Sequence, residues 1–358
     1  MANALENELC YPWADTLPAT GTTLELAPGV RWLRMGLPFA LDHINLWLLR
    51  DEIDGRAGWT VVDCGIANDA TRAAWEQIFA HELDGLPVLR VLVTHMHPDH
   101  VGLADWISRR WPDEHGEPAR VWMSASDWAT AGRVRDRPAA QAGAAAAAFF
   151  AGHGLSDAAA LDKVKARGSY YGSLVPELPA QYRRLMDGMV LDIGGAHWCC
   201  IAGHGHAPEH ISLYCEALNL LIAGDMLLPR ISTNVSVFDI EPEGNPLPLF
   251  LRSLDRYLEL PADVLVLPSH GRPFRGAPAR VRQLKAHHDE RLAEVWALCK
   301  RAPASAADVL PVLFRRPLDL HQTTFALGEA VAHLHALWQD GRLRRTRDAA
   351  GAWRFSST

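Results

Sequence analysis

The sequence predicts an α/β protein in which helices cover the faces of packed strands, with a smaller, mostly helical unit at the C-terminal end. Three observations lead there. Short apolar runs bounded by Gly, Pro and Asp alternate with stretches of helical periodicity over the first third of the chain, the pattern of helices layered on sheets. A second strand-rich block occupies residues 189–267, and the last eighty or so residues turn helical. Several apolar runs also end abruptly in His or Asp, as strands do when the loops beyond them carry function.

Taken in order, residues 30–35, 43–49 and 59–62 are apolar or alternating and read as strands. Residues 70–81 carry apolar side chains at helical spacing, 88–93 return to strand, 103–111 form a helix and 119–123 a further strand. Residues 126–185 differ in character. Their alanine tract and their mixture of small and charged residues mark a helical insertion over the core. Strands follow at 189–191, 196–201, 211–215, 218–223 and 264–267. Helices are expected at 281–299, 305–313 and 323–338, then a short hairpin pairing 341–345 with 353–355. The expected organisation is a first domain over 1–277 and a C-terminal domain over 278–358, whose helices and hairpin resemble a winged helix.

A chain of 358 residues can bury one large core and carry a small appended domain. A hydrophobic share of 49% and a charged share of 22% are those of an ordinary soluble globular protein. The net charge of -7, with arginines scattered rather than clustered, argues against nucleic acid as a partner. Residues 1–20 include Glu6, Glu8 and Asp15 and no signal-peptide core, and no run approaches a membrane span. Six cysteines (Cys10, Cys64, Cys199, Cys200, Cys215 and Cys299) lack CxxC spacing and read as reduced thiols, which suits a cytoplasmic location.

Five segments share one grammar, an apolar strand followed by a metal-type residue. Val62 leads to Asp63-Cys64-Gly65. Val93 leads to Thr94-His95-Met96-His97-Pro98-Asp99-His100, with three imidazoles and a carboxylate in six residues. Ile201 leads to His204, His206 and His210, Gly224 leads to Asp225, and Pro268 leads to Ser269-His270-Gly271. Imidazole and carboxylate are the usual nitrogen and oxygen ligands of zinc and neighbouring transition metals. The recurrence carries more weight than any one match.

These motifs resemble, in order, those of the metallo-β-lactamase fold superfamily. His95-Met96-His97-Pro98-Asp99-His100 matches its HxHxDH motif, and His206-Ala207-Pro208-Glu209-His210 is similar to its H-T-P-G-H element, with Ala and Glu departing from the commoner residues. The resemblance spans roughly residues 30–276 and implies a four-layer αββα sandwich. It also implies that His95, His97 and His206 hold one metal, that Asp99, His100 and His270 hold a second, and that Asp225 bridges them. This ligand set resembles the glyoxalase II type. True β-lactamases carry a cysteine or serine where this chain has Asp225, which counts against antibiotic hydrolysis.

Around that set, Asp63 is expected to accept an N–H from a ligand imidazole. His210 is expected to orient a turn beside the site. The Ala-Pro after His206 favours that residue over His204 as ligand. His43 belongs to a strand, with facing the pocket as the alternative, and His287, His288, His333 and His335 belong to helices, as surface or packing residues. Tyr170 and Tyr171 are candidates for substrate contact, against ordinary aromatic packing. Arg342, Arg344 and Arg345 read as a solvated face or a dimer contact. The function implied is hydrolysis of a small ester, thioester or lactone by metal-bound hydroxide, with Asp99 and Asp225 as the key carboxylates. Two zinc ions are expected, with iron or manganese possible. The partner is a small-molecule substrate, with a homodimer possible. The alternatives are phosphodiester or β-lactam hydrolysis at the same centre, and a metal-stabilised DNA-binding regulator.

Overall fold

The computed structural model describes residues 4–113 and 115–358. Its first sheet has seven strands in chain order: β1 (Leu24–Ala27), β2 (Val30–Gly36), β3 (His43–Ile53), β4 (Arg56–Val62), β5 (Val88–Leu92), β6 (Arg120–Ser124) and β7 (Arg183–Leu185). Pairing is antiparallel from β1 to β4 and parallel from β4 to β7. The second sheet contains β8 (Val190–Ile193), β9 (Ala196–Gly203), β10 (His210–Cys215), β11 (Leu220–Gly224) and β12 (Leu265–Pro268), ordered β12-β11-β10-β9-β8.

Parallel neighbours need crossover connections, and these supply the helices. Helix α1 (Asp69–His81) joins β4 to β5, while α2 (Pro98–Val101) and α3 (Ala104–Arg110) join β5 to β6. The insertion between β6 and β7 holds α4 (Ala125–Arg135), α5 (Ala139–Gly152), α6 (Ala158–Ala166) and α7 (Tyr170–Leu174). Helix α8 (Pro246–Asp255) precedes β12. The chain closes with α9 (Ala277–Arg301), α10 (Ala306–Leu313), α11 (Leu320–Gln339) and the ribbon of β13 (Leu343–Arg347) with β14 (Trp353–Ser357).

Alternation along the strands sorts side chains into layers. Val30 and Trp32 of β2 face Trp198, Leu213 and Ile222 of the second sheet. Leu33 and Met35 face outward, into a cluster with Trp75 and Ile78 of α1. On the far side, Leu221 and Val266 meet Phe250 of α8 and Val281 of α9. The result is a helix–sheet–sheet–helix sandwich. Trp32, Trp47 and Trp198 lie between the sheets, each at most 1% exposed. Aromatic burial of that kind is worth roughly 4–6 kcal/mol of transfer free energy per ring. The α9–α11 unit has its own apolar cluster, which also takes in Phe149, Phe150 and Val237 from the preceding part of the chain.

Three differences from the sequence reading have local causes. Strand β11 starts at Leu220, because Asn219 takes φ 51 in the turn before it. Helix α8 and strand β1 were not anticipated, since a Pro at each of two nearby positions masks the periodicity of the first and the second is only four residues long. The arginine run of β13 is only partly solvated. Arg345 stacks between Trp338 and Trp353, at 3.7 and 4.3 Å from the ring centroids, and pairs with Glu243. His288, His333 and His335 are fully buried packing residues.

Candidate metal centre

All the motif segments emerge at one end of the two stacked sheets. After β5 the chain is pinned between them: Val93 N donates to Trp122 O at 2.9 Å, and Ile211 N of β10 donates to Thr94 O at 2.8 Å. Thr94 also donates through N and Oγ1 to the two oxygens of Asp63, both at 2.8 Å. His95 follows, and His97 is extended. Pro98 then opens α2 at its first turn, where a fixed φ suits helix initiation, and folds Asp99 and His100 back toward the same point.

The ligand-type atoms fall into two groups, His95, His97, His206 and Asp225 in one and Asp99, His100 and His270 in the other, each within a 4.8 Å span. In the first, His95 Nε2 lies 2.9 Å from His97 Nδ1 and 3.1 Å from His206 Nε2. Donors bound tetrahedrally at about 2.0–2.1 Å are separated by roughly 3.3 Å, so the spacing fits one small cation. In the second, His270 Nε2 and His100 Nε2 lie 3.4 and 3.7 Å from Asp99 Oδ2. Asp225 faces both groups, with Oδ2 3.3 Å from His206 Nε2 and Oδ1 3.4 and 3.6 Å from the Nε2 atoms of His270 and His100.

His100 Nε2 and Asp225 Oδ1 are buried and have no hydrogen-bond partner among the described residues. Buried polar atoms are rarely left so, and a cation set between them would satisfy both. The donor set therefore fits a divalent metal. Three of the five rings are also held from behind. His100 Nδ1 donates to Asp63 Oδ2 at 2.8 Å, His206 Nδ1 to Asn234 O at 2.7 Å, and His270 Nδ1 to His43 O at 2.7 Å. With that proton placed at the back, the front nitrogen keeps its lone pair.

The field differs between the two groups. Burial, reinforced by neighbouring imidazoles, holds His95 well below its ordinary pKa and His97 down at about 3, so both rings are neutral. At His270 burial acts the other way from the net effect: Asp225 and Asp99 outweigh it and push the ring up to about 10. The carboxylates that would favour a proton there would equally favour a metal cation.

Asp225 is set by a close fit. Gly224 has φ 55, and a Cβ there would sit 2.1 Å from His210 Nε2. That nitrogen accepts the Asp225 N–H at 3.2 Å, so His210 props the strand end and joins neither group of donors. His204 also lies outside them, its Nδ1 turned to Pro208 O at 2.8 Å. Tyr171 uses its hydroxyl on Met96 O at 2.6 Å and fixes the backbone between His95 and His97, whereas Tyr170 is partly exposed against His321. Asp127 was not foreseen. It accepts Met96 N and Glu209 N at 2.8 and 2.6 Å and so ties the HxHxDH loop to the His206 loop, while burial pushes its carboxyl up to about 6. The Ser124-x-x-Asp127 spacing at the start of α4 was the available signal.

Asp63→Asn should lower metal affinity and turnover about 10- to 100-fold, the usual effect of losing an acceptor behind a ligand imidazole. Asparagine tolerates the φ of 61 at this position, so the fold should survive. Competitive metal titration against a chelating dye measures the change, and an unaltered affinity would remove Asp63 from this role.

The model of the family described as "Metallo-beta-lactamase superfamily" matches residues 40–270, and that described as "Metallo-beta-lactamase-like, C-terminal domain" matches residues 292–358. The chain belongs to the metallo-β-lactamase superfamily and is a metal-dependent hydrolase of that class. It is similar to a β-lactamase domain protein from Burkholderia ambifaria, with 57% identity, coverage of 99% of this chain and 100% of that one, and a TM-score of 0.93. A metallo-β-lactamase family protein from Thermus thermophilus shares 31% identity over 93% of this chain and 100% of its own, with a TM-score of 0.75. A probable metallo-hydrolase of Bacillus subtilis, YqjP, is 26% identical over 318 residues, 85% of this chain and 91% of its own length.

Proposed function

We propose that the chain hydrolyses small esters, thioesters or lactones at a two-metal centre. His95, His97 and His206 would hold one ion, Asp99, His100 and His270 the other, with Asp225 shared between them. The observation that carries this reading is the orientation of Asp225, one oxygen toward each group. Bound there, a pair of zinc ions (or iron or manganese) would supply Lewis acidity and a water of near-neutral pKa.

The chain's own residues provide the frame. Asp63, the Asn234 carbonyl and the His43 carbonyl fix the imidazole tautomers. Asp127 and Tyr171 hold the loop that carries His95 and His97. A covalent route has no support, since Ser269 is fully buried and burial pushes the Cys64 thiol well above its ordinary range. Residues 278–358 are read as a separate, winged-helix-like unit that shapes the mouth of the site. In support, Glu329 of α11 accepts from Asn234 Nδ2 at 3.3 Å, and Asn234 O in turn accepts from His206.

The test is metal analysis of the purified protein together with a panel of thioesters, lactones, aryl esters, β-lactams and bis(4-nitrophenyl) phosphate. The expected result is close to two metals per chain and chelator-sensitive turnover fastest on the carboxylic esters, thioesters or lactones. Faster turnover of the phosphodiester, or activity that persists in chelator without metal, would overturn the reading.

A further inference from the structure

A cavity of about 480 Å³ adjoins the metal centre and has His270 in its wall. That volume suits a small organic ligand. Leu17, Leu41 and Ile231 give it apolar walls, three arginines, Arg34, Arg230 and Arg272, give it positive charge, and Glu6 and Asp15 add two carboxylates. Two of them are already engaged. Arg272 Nη1 lies 2.7 Å from Asp15 Oδ1 and from Ala14 O, with its guanidinium 4.5 Å above the Tyr11 ring. Arg230 Nε leans toward Glu6 Oε2 at 3.8 Å.

Arg34 differs. It is half-buried near the end of β2, and its guanidinium makes no hydrogen bond or ion pair among the described residues. The opposite charge acting on it is Asp42, whose carboxylate is exposed and bonded to His43 Nδ1 at 2.6 Å. Its position relative to the metal centre is fixed through the backbone. Arg34 pairs with Asn45 of β3, and Asn45 Nδ2 donates to Pro268 O and Gly271 O at 2.8 and 3.0 Å, on either side of His270. A half-desolvated guanidinium without an anion is costly to hold, and its planar fork matches a carboxylate in two-point contact.

We propose that this cavity is a recognition subsite for an acidic tail on the substrate, an aliphatic segment lying along Leu17, Leu41 and Ile231 and a terminal carboxylate binding Arg34. The preferred substrates are then esters or thioesters of dicarboxylic acids, or lactones with a free acid. The link to hydrolysis rests on the reading above, whereas binding of the acid does not.

The experiment compares mono(4-nitrophenyl) glutarate with its methyl ester, in which the same chain has lost its charge, on the metal-loaded full-length protein and on Arg34→Gln and Arg34→Lys. Calorimetry of glutarate and of inorganic phosphate binding to the same three proteins gives a readout free of turnover. The wild type should favour the free acid. Arg34→Gln should reduce that preference, through KM, and weaken glutarate binding by about 10- to 100-fold, the range for hydrogen bonds to a charged group. Arg34→Lys, which keeps the charge and loses the fork, should recover part of both. Glutarate binding indifferent to Arg34 overturns the subsite, and Arg34-dependent binding of phosphate but not glutarate overturns the carboxylate assignment. If no ester is turned over while glutarate binding still depends on Arg34, the hydrolase reading falls and the acid site stands. If esters are turned over with no preference for the acid and no Arg34 dependence, the reverse holds.

Discussion

Asp225→Asn is expected to cost on the order of a thousandfold or more in kcat/KM, several kcal/mol of transition-state stabilisation. Among the described residues, the oxygens of this carboxylate reach both donor groups, at 3.3 Å from His206 and 3.4 Å from His270. An amide offers one oxygen and no charge, so one group loses a donor and the surrounding imidazoles lose their compensating anion. Metal content should fall toward one ion per chain or below, as read by elemental analysis of dialysed protein. Full activity with both ions retained would refute the shared-carboxylate assignment. The substitution is close to isosteric, so thermal melting of the loaded protein separates a lost ligand from a lost fold.

Gly224→Ala should have the larger effect on the fold itself, with a loss of about 3–5 kcal/mol in unfolding free energy. Two causes add. An alanine at φ 55 takes a left-handed conformation that side chains disfavour, and its Cβ would lie 2.1 Å from His210 Nε2. His210 has nowhere to retreat, being fully buried with its ring centroid 4.9 Å from that of His95. Urea unfolding measures the loss, and a midpoint equal to that of the parent would contradict it. Combining Gly224→Ala with His210→Ala should restore part of the stability, because the second change removes the atoms that the first one strikes.

Much of this architecture was legible in the residues, and the reasons for the gaps are physical. Strands β5, β9, β11 and β12 are bounded by turn residues and lead into His or Asp, so both their extent and their polarity show in one dimension. The close approach of Asp99, His100 and His270 joins residues 171 positions apart in the case of Asp99, and only the resemblance to a family suggested it in advance. The back-side acceptors were harder. Asn234 and His43 act through main-chain carbonyls, which no side-chain pattern encodes. Asp127 is read locally as part of a helix start, and its second task of joining two loops depends on sheet stacking. Arg345 looked like one of several solvated arginines because the tryptophans that enclose it lie 7 and 8 residues away on either side.

Each donor group draws members from both sheets. His95, His97, Asp99 and His100 follow β5, whereas His206, Asp225 and His270 follow β9, β11 and β12. A cation held there acts as a rivet across the seam of the sandwich. Prying the halves apart pulls its ligands away, so tight binding reinforces the whole molecule by about 4 kcal/mol when free metal exceeds its dissociation constant a thousandfold. Scarcity of the ion would then be felt first as fragility, before any question of turnover arises.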